Sequence, residues 1–511
     1  MILNTDSQKL GFLDTVCETT AEQSFDADIN LPDYCPEIQR VLKCTLSPNV
    51  MSVQNSSGRV TADVSVVLRL IYVGDNGVVS GYDQSYPMQK IIDSSKIDSA
   101  CAVTVRVNTD YLNCRAVNSR RLEAKGMLTF IFKAEKKRDE NLLCNAEGAG
   151  IQLKSEDLSV SSLVGVTERT FSLGEVIEIP NDKKSVGTIM NISSFVEASE
   201  LKMINNKALL KGNCSVKIYY LTDENCSVEY VEHSMPISQI IELDGLDDEC
   251  ISTYKLSVCS DEAIVKADSS GNMRLIDINL RVCVFLAAFE EKDVTLINDS
   301  YSVDYESENN FKTTELLQMN DSFNTSFTNK VVLESIGVSV DCVYGVWCND
   351  LKYSFNAKDD KCCVSGSYNV TVIYKDSDGQ TGVISKPVDF DSSIKIKNKS
   401  ERLFTIGCAQ ISGCSCVATG DSRLELKTEI IANGIVFSSV LKKYVSNIQI
   451  KNESPEKNNP CALTVYYCDK GESIWNIARR YNTTVDAVMI ENELTDEIIT
   501  ECRMILIPNS K

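Results

Sequence analysis

Alternation of apolar and polar residues is the dominant pattern in this chain, and it recurs with a long period. One run reads Val64-Ser-Val-Val-Leu-Arg-Leu-Ile-Tyr72, a second Gly212-Asn-Cys-Ser-Val-Lys-Ile-Tyr-Tyr220, and a third Gly366-Ser-Tyr-Asn-Val-Thr-Val-Ile-Tyr374. The closing Tyr residues lie 148 and 154 positions apart (220 − 72 and 374 − 220). A second mark follows each run, Arg121-Leu-Glu, Arg274-Leu-Ile and Arg423-Leu-Glu, with spacings of 153 and 149. Period-two alternation predicts strands. A repeat of roughly 150 residues is the size of a domain, so the pattern predicts tandem domains and not a solenoid of short repeats.

Each unit reads as mainly β. In the first, Val64, Val66, Leu68, Leu70 and Tyr72 share one strand face, and the partly polar positions between them predict a half-solvated antiparallel sheet. Gly74-Asp-Asn-Gly77 predicts the turn to the next strand. Upstream, Leu31-Pro-Asp-Tyr-Cys-Pro-Glu-Ile38 is stiffened by two prolines, and Ile38, Val41 and Leu42 recur at helical spacing, which predicts a short helical turn. Pro180 repeats Pro32 at the same period in the second unit. The third lacks such a proline, and Cys342-Val-Tyr-Gly-Val-Trp-Cys348 stands in that neighbourhood. The expected divisions are 1–160, 161–310 and 311–450, a polar linker at 451–460, and a distinct tail at 461–511. Short strands with turn residues at short intervals predict a sandwich or a partly open barrel for each unit, without choosing between them.

Composition narrows the function. The 511 residues carry a net charge of −21, which argues against nucleic acid and anionic membrane surfaces as partners. The one basic cluster, Lys136-Lys137-Arg138, reads as a solvated loop. No apolar stretch is long enough for a membrane span, and no basic-then-apolar leader opens the chain, so a cytosolic protein is expected. The 21 cysteines are scattered without a CxxC pair, and Cys214, Cys283 and Cys363 sit inside apolar alternation, as expected of small buried hydrophobes kept reduced. A single histidine, His233, reads as a surface or half-buried strand residue. No phosphate-cradling glycine motif is present and no metal set is spaced for binding, so no cofactor and no enzymatic activity are expected.

The tail changes period. Leu463, Val465 and Tyr467 alternate, then Ile474, Ile477, Ala478 and Tyr481 fall at i, i+3, i+4 and i+7. Glu472 or Ser473 would cap that helix, and Thr483 with Asp486 would open the next one. Met504-Ile-Leu-Ile-Pro508 closes as a strand. With Lys470-Gly-Glu-Ser-Ile-Trp-Asn-Ile-Ala478, Asn492, Leu494 and Ile505-Leu-Ile-Pro508, this α+β (βααβ) unit resembles a LysM domain. The resemblance implies a shallow groove for N-acetylglucosamine polymers or a repurposed protein-docking groove. Carried over by position, the groove involves Lys470, Gly471, Glu472, Ser473, Ile474, Trp475, Asn492, Glu493 and Leu494.

The repeats, on Leu31-Pro-Asp-Tyr-Cys-Pro-Glu-Ile38 and Asn118-Ser-Arg-Arg121, resemble SPOCS domains, named for sporulation and cell-surface proteins. Three such units before a LysM resemble clostridial spore-coat morphogenetic proteins. That likeness implies a non-enzymatic adaptor in the mother-cell cytoplasm at the forespore surface. Its partner would be the spore-coat basement-layer ATPase. The alternative it implies is a peptidoglycan or cortex-glycan binder.

Overall fold

A computed structural model describes residues 3–56, 58–223, 227–333, 339–397, 402–419, 422–451 and 462–508. Unit one holds β1 (Asn4–Asn30), β2 (Ile38–Ser56), β3 (Arg59–Gly74), β4 (Val79–Asp93), β5 (Ala102–Ala116) and β6 (Arg121–Glu147). Unit two repeats them as β7 (Ile151–Glu178), β8 (Val186–Ile204), β9 (Lys207–Thr222), β10 (Val228–Glu242), β11 (Ile251–Ala267) and β12 (Met273–Ser302). Unit three does so again as β13 (Ser307–Leu333), β14 (Val340–Lys358), β15 (Lys361–Asp376), β16 (Thr381–Lys395), β17 (Leu403–Ala418) and β18 (Leu424–Ile450). The tail is β19 (Leu463–Cys468), α1 (Ile474–Arg480), α2 (Val485–Glu491) and β20 (Arg503–Pro508). The boundary expected near 160 falls inside β7, because unit one ends with β6 at Glu147. From residue 452 the expected linker lies outside the described residues.

Each unit is a sandwich of two antiparallel three-stranded sheets. In unit one the orders are β1-β6-β5 and β2-β3-β4, and the other units repeat them. The core between the sheets takes Val64, Val66, Leu68, Leu70 and Tyr72 from one and Phe25, Ile29, Leu122, Phe130 and Phe132 from the other. Turn chemistry follows the sequence: Gly77 has φ +76°, and Gly74 N–H donates to the Val78 carbonyl.

The predicted helical turn at Ile38–Leu42 is a strand. Two β-bulges, between Ile38 and Arg40 and between Val41 and Lys43, each insert an extra residue. The core-facing period therefore stretches from two to three, which imitates a helix. Unit two has the same double bulge at Val186/Thr188 and Ile189/Asn191, and unit three at Val340/Cys342 and Val343/Gly345. Thus Cys342-Val-Tyr-Gly-Val-Trp-Cys348 is the bulged start of β14, while the segment just before it lies partly outside the described residues.

A half-buried arginine-carbonyl clamp fixes each lead-in loop that is described in full. Arg120 donates to the carbonyls of Pro32 (3.2 Å) and Cys35 (3.3 Å), and Arg274 to those of Ile179 (2.9 Å), Pro180 (2.8 Å) and Lys183 (3.1 Å). The counterpart of Arg274 is therefore Arg120, one residue before the expected Arg121. Leu31 and Cys35 are buried in this loop while Tyr34 projects outward, 84% exposed.

The three units are not beads on a string. One apolar cluster joins Ile71 and Val79, Met190, Tyr219 and Leu221, and Trp347 and Ile373, from units one, two and three in turn. Ile71, Tyr219 and Ile373 occupy the same repeat position, 148 and 154 residues apart (219 − 71 and 373 − 219), so the contact is threefold-related. Tyr219 also donates from its hydroxyl to the Val346 carbonyl at 2.8 Å. A second shared cluster takes Leu10 and Leu142, Val160 and Leu296, and Leu316 and Tyr444. This explains why β1, β6, β7, β12, β13 and β18 reach 27–30 residues, well beyond the usual strand. One half of each serves its own sandwich and the other half the common centre. It also corrects the half-solvated sheet expected for β3: Val67, Arg69 and Ile71 on its outer face are buried under the neighbouring units.

Other expectations shift with the same logic. Lys136, Lys137 and Arg138 lie within β6, paired with Asp98 (2.8 Å), Asp139 (3.5 Å) and Glu140 (3.2 Å), and form no loop. Cys214 is fully buried, as its alternation suggested, whereas Cys283 forms a disulfide with Cys259 on the neighbouring strand. His233 is a half-exposed β10 residue whose Nε2 lies 2.9 Å from Glu175 Oε2. No helix among the described residues is long and apolar enough to cross a membrane.

Candidate functional site: the C-terminal module

The tail folds as expected in outline, two short helices over a two-stranded antiparallel sheet. Its core is Ile474, Ile477, Ala478, Val488, Ile499, Ile505 and Ile507. Ser473 caps α1 by backbone geometry, with extended φ and ψ. The cap of α2 is Thr484, whose hydroxyl accepts from Ala487 N–H at 3.1 Å, and not Thr483. Thr483 is buried instead, because Asn482 takes positive φ (51°) and turns the chain inward.

The residues expected to line the groove take five different roles. Lys470, Gly471 and Glu493 are exposed, with Gly471 at φ +92° and Glu493 at φ +53°. Ser473 is half-buried in an isolated bridge to Ile498, and Glu472 is held by Tyr466, whose hydroxyl donates to its carboxylate at 2.9 Å. That hydrogen bond pushes the Tyr466 hydroxyl above its ordinary range. Ile474 is wholly buried and Leu494 packs on the core, so both shape the fold and not the surface.

Asn492 is a strut. Its amide nitrogen donates to the carbonyls of Val488 (2.8 Å) and Leu506 (2.6 Å), and its oxygen accepts from Leu506 N–H (2.6 Å). Both amide hydrogens are spent tying the end of α2 to β20. The segment after α2 runs back beside the first turn: Gly471 N–H donates to Ile499 O (2.7 Å), Ile474 N–H to Glu497 O (2.8 Å) and Ile499 N–H to Glu472 O (2.9 Å). Along this edge Glu491, Glu493, Asp496, Glu497 and Glu501 are all exposed. Large apolar side chains stand out nearby on the module: Tyr467 (76% exposed), Ile490 (77%), Ile498 (59%) and Met504 (50%).

Trp475 faces the repeats. It is buried, its indole N–H donates to Asp299 Oδ2 at 2.9 Å, and its ring meets Tyr301 edge-on with centroids 4.9 Å apart. Arg479 also binds Asp299, at 2.8 and 3.0 Å, and the Tyr301 hydroxyl donates to the Thr483 carbonyl at 2.8 Å. Asp299 and Tyr301 end β12, so the junction of units two and three carries the module. Sequence reading missed both residues, since nothing local links positions some 170 or more apart. Trp475 standing off the apolar stripe of α1 was the one available signal.

The chain matches the family described as SipL, SPOCS domain over residues 185–260, which runs from β8 into β11 of unit two. It matches the LysM domain over residues 469–508. The chain carries a SipL-type SPOCS domain and a C-terminal LysM domain. The SPOCS match marks it as a sporulation protein, and units one and three share the strand order of the matched unit. No curated protein and no solved structure matches the chain. The LysM match includes the whole first turn, both helices and β20, so it takes in every residue carried over to the groove.

The LysM mount gives a direct prediction. Asp299→Ala removes the partner of both Trp475 and Arg479, and should cost the docked state roughly 2–4 kcal/mol. The three β units should keep their thermal transition. Protease sites in 463–508 should become accessible, and Trp475 fluorescence should shift to the red. Unchanged fluorescence would show that the mount does not depend on Asp299.

Proposed function

We propose that this protein is a non-enzymatic adaptor in endospore formation, linking the spore-coat basement-layer ATPase to the forespore surface from the mother-cell cytoplasm. Its LysM domain is the docking module. The observation that carries this reading is the LysM match on a module whose exposed surface combines a carboxylate edge with Tyr467, Ile490, Ile498 and Met504. Exposed large apolar groups beside charges suit a protein partner with a basic, apolar-centred surface. The charges would supply orientation and on-rate, and the apolar groups affinity. The fixed mount through Asp299, Tyr301 and Trp475 favours an adaptor, because a docking surface held at one orientation loses less entropy on binding.

A second reading rests on the same match, since LysM domains read N-acetylglucosamine polymers. Here Asn492 spends its amide internally and Ile474 is buried, which leaves Lys470, Ser473 and Glu493 as the polar groups open to a sugar. Titration with soluble chitin oligomers and muropeptides separates the readings. The adaptor reading expects no saturable heat at millimolar sugar. Micromolar binding weakened by Lys470→Ala would replace it with the glycan reading.

A further inference from the structure

Where the three units meet, the structure holds an open cleft of about 810 Å³ lined by strands of all three. That volume is within the range of small-molecule sites. It adjoins the shared apolar cluster, Trp347 belonging to both. The chain carries −21 overall, yet the cavity wall holds five cationic residues, Lys43, Arg69, Arg106, Lys255 and Lys386, against three acids, Asp110, Asp261 and Asp350. The cavity wall is thus net positive in an acidic protein.

The arrangement is densest in unit one. Lys43, Thr45, Ser47 and Asn49 alternate along one face of β2, turned away from the sandwich core and toward the cavity. Arg69 joins them from β3 and is only 7% exposed. A buried guanidinium needs partners for five N–H groups. Among the described residues the hydrogen bond it makes is a long one, 3.4 Å to Ser47 Oγ, with the Asp261 carboxylate also near enough to interact. Asn49 is 5% exposed, and its Nδ2 has no hydrogen-bond partner among the described residues. Two strong donors are therefore buried in one wall with unused capacity.

The repeat shows that this is particular to unit one. The positions equivalent to Arg69 are Lys217 and Thr371, 148 and 154 residues on (217 − 69 and 371 − 217). Lys217 turns out to Glu232 at 2.6 Å and over the Tyr230 ring, and Thr371 bonds Ser385 at 3.0 Å. Arg106 and Lys43 of unit one reach across to Tyr353 and Ser385 of unit three, so the wall is shared between units.

We infer that this cavity is a binding site for a small oxyanion, a phosphate- or carboxylate-bearing metabolite held by Arg69, Asn49 and Ser47, with Lys255 of unit two lining the same cavity. Such a ligand would satisfy the Arg69 and Asn49 donors together and would bind only the closed three-unit state.

Calorimetric titration of the full chain with pyrophosphate, with citrate and with neutral N-acetylglucosamine tests this. At least one anion should bind saturably and the neutral sugar should not. Pyrophosphate binding tighter than citrate would assign a phosphate ligand, and the reverse a carboxylate. Arg69→Gln and Asn49→Ala should each weaken binding at least about tenfold. Lys217→Gln, at the out-turned equivalent, should leave it unchanged. Should Arg69→Gln not fold, Asn49→Ala and Lys255→Gln carry the test. Absence of binding by both anions, equal binding of the sugar, or full affinity in Asn49→Ala and Lys255→Gln would overturn the site.

Discussion

Asn492→Ala unfolds the LysM module while leaving the three β units standing. The substitution removes three hydrogen bonds of 2.6–2.8 Å and strands the Leu506 N–H and two carbonyls in a half-buried place. Each net bond contributes about 1 kcal/mol and each stranded group costs about 1–3 kcal/mol, so a loss of roughly 3–5 kcal/mol is expected. A module of this size has little reserve, because small domains bury a smaller share of their surface. Amide exchange should show residues 463–508 losing protection together, with β1 to β18 unaffected. Retained protection in α2 and β20 would contradict the strut. A consequence follows for function: ligand binding lost in Asn492→Ala reports a lost fold, whichever ligand the module takes.

Glu168→Gln should stabilise the protein, and only at neutral to alkaline pH. Burial alone pushes the Glu168 carboxyl from 4.5 up to about 8. In the unfolded chain the proton leaves near pH 4.5, while the folded state retains it until about pH 8. Between those values the folded state binds more protons, so its stability falls as pH rises and levels off above 8. The contribution is intact below pH 4.5. Glutamine keeps the shape without the charge, so the gain should be at most about 4–5 kcal/mol at pH 8.5 and near zero at pH 4.5. Thermal midpoints of the two proteins at those pH values check it. Parallel curves across the range would show that Glu168 is ionised in the folded state.

The strands were legible because one face of each is a dry core with strict alternation, as in Val64 to Tyr72. The alternation left a sandwich and a partly open barrel equally open, and only the fold, in which two such faces cover each other, decides for the sandwich. The bulges were not legible, since the extra residue that sets Ile38 and Val41 three apart reads locally as a helical period. Nor was the threefold closure, although Val67 and Ile71 on the outer face of β3 were a trace of it. Apolar residues on both faces mean that both are covered, and Arg69 between them concealed the signal. In the tail the helices and strands were legible from their periods. The roles of its polar residues were not. Asn492 and Trp475 act through Leu506 and Asp299, and only the fold brings those atoms together.

The adaptor account stands or falls on one binding measurement. Purified spore-coat basement-layer ATPase is titrated against the full chain and against a chain ending at Pro460, in the same buffer, with chitin oligomer as a competitor. The account predicts saturable binding by the full chain, loss of at least about 100-fold in affinity on truncation, and no competition by the oligomer. Equal binding by both chains would contradict it and move the docking surface onto the β units. Competition by the oligomer would instead make the LysM groove a glycan site.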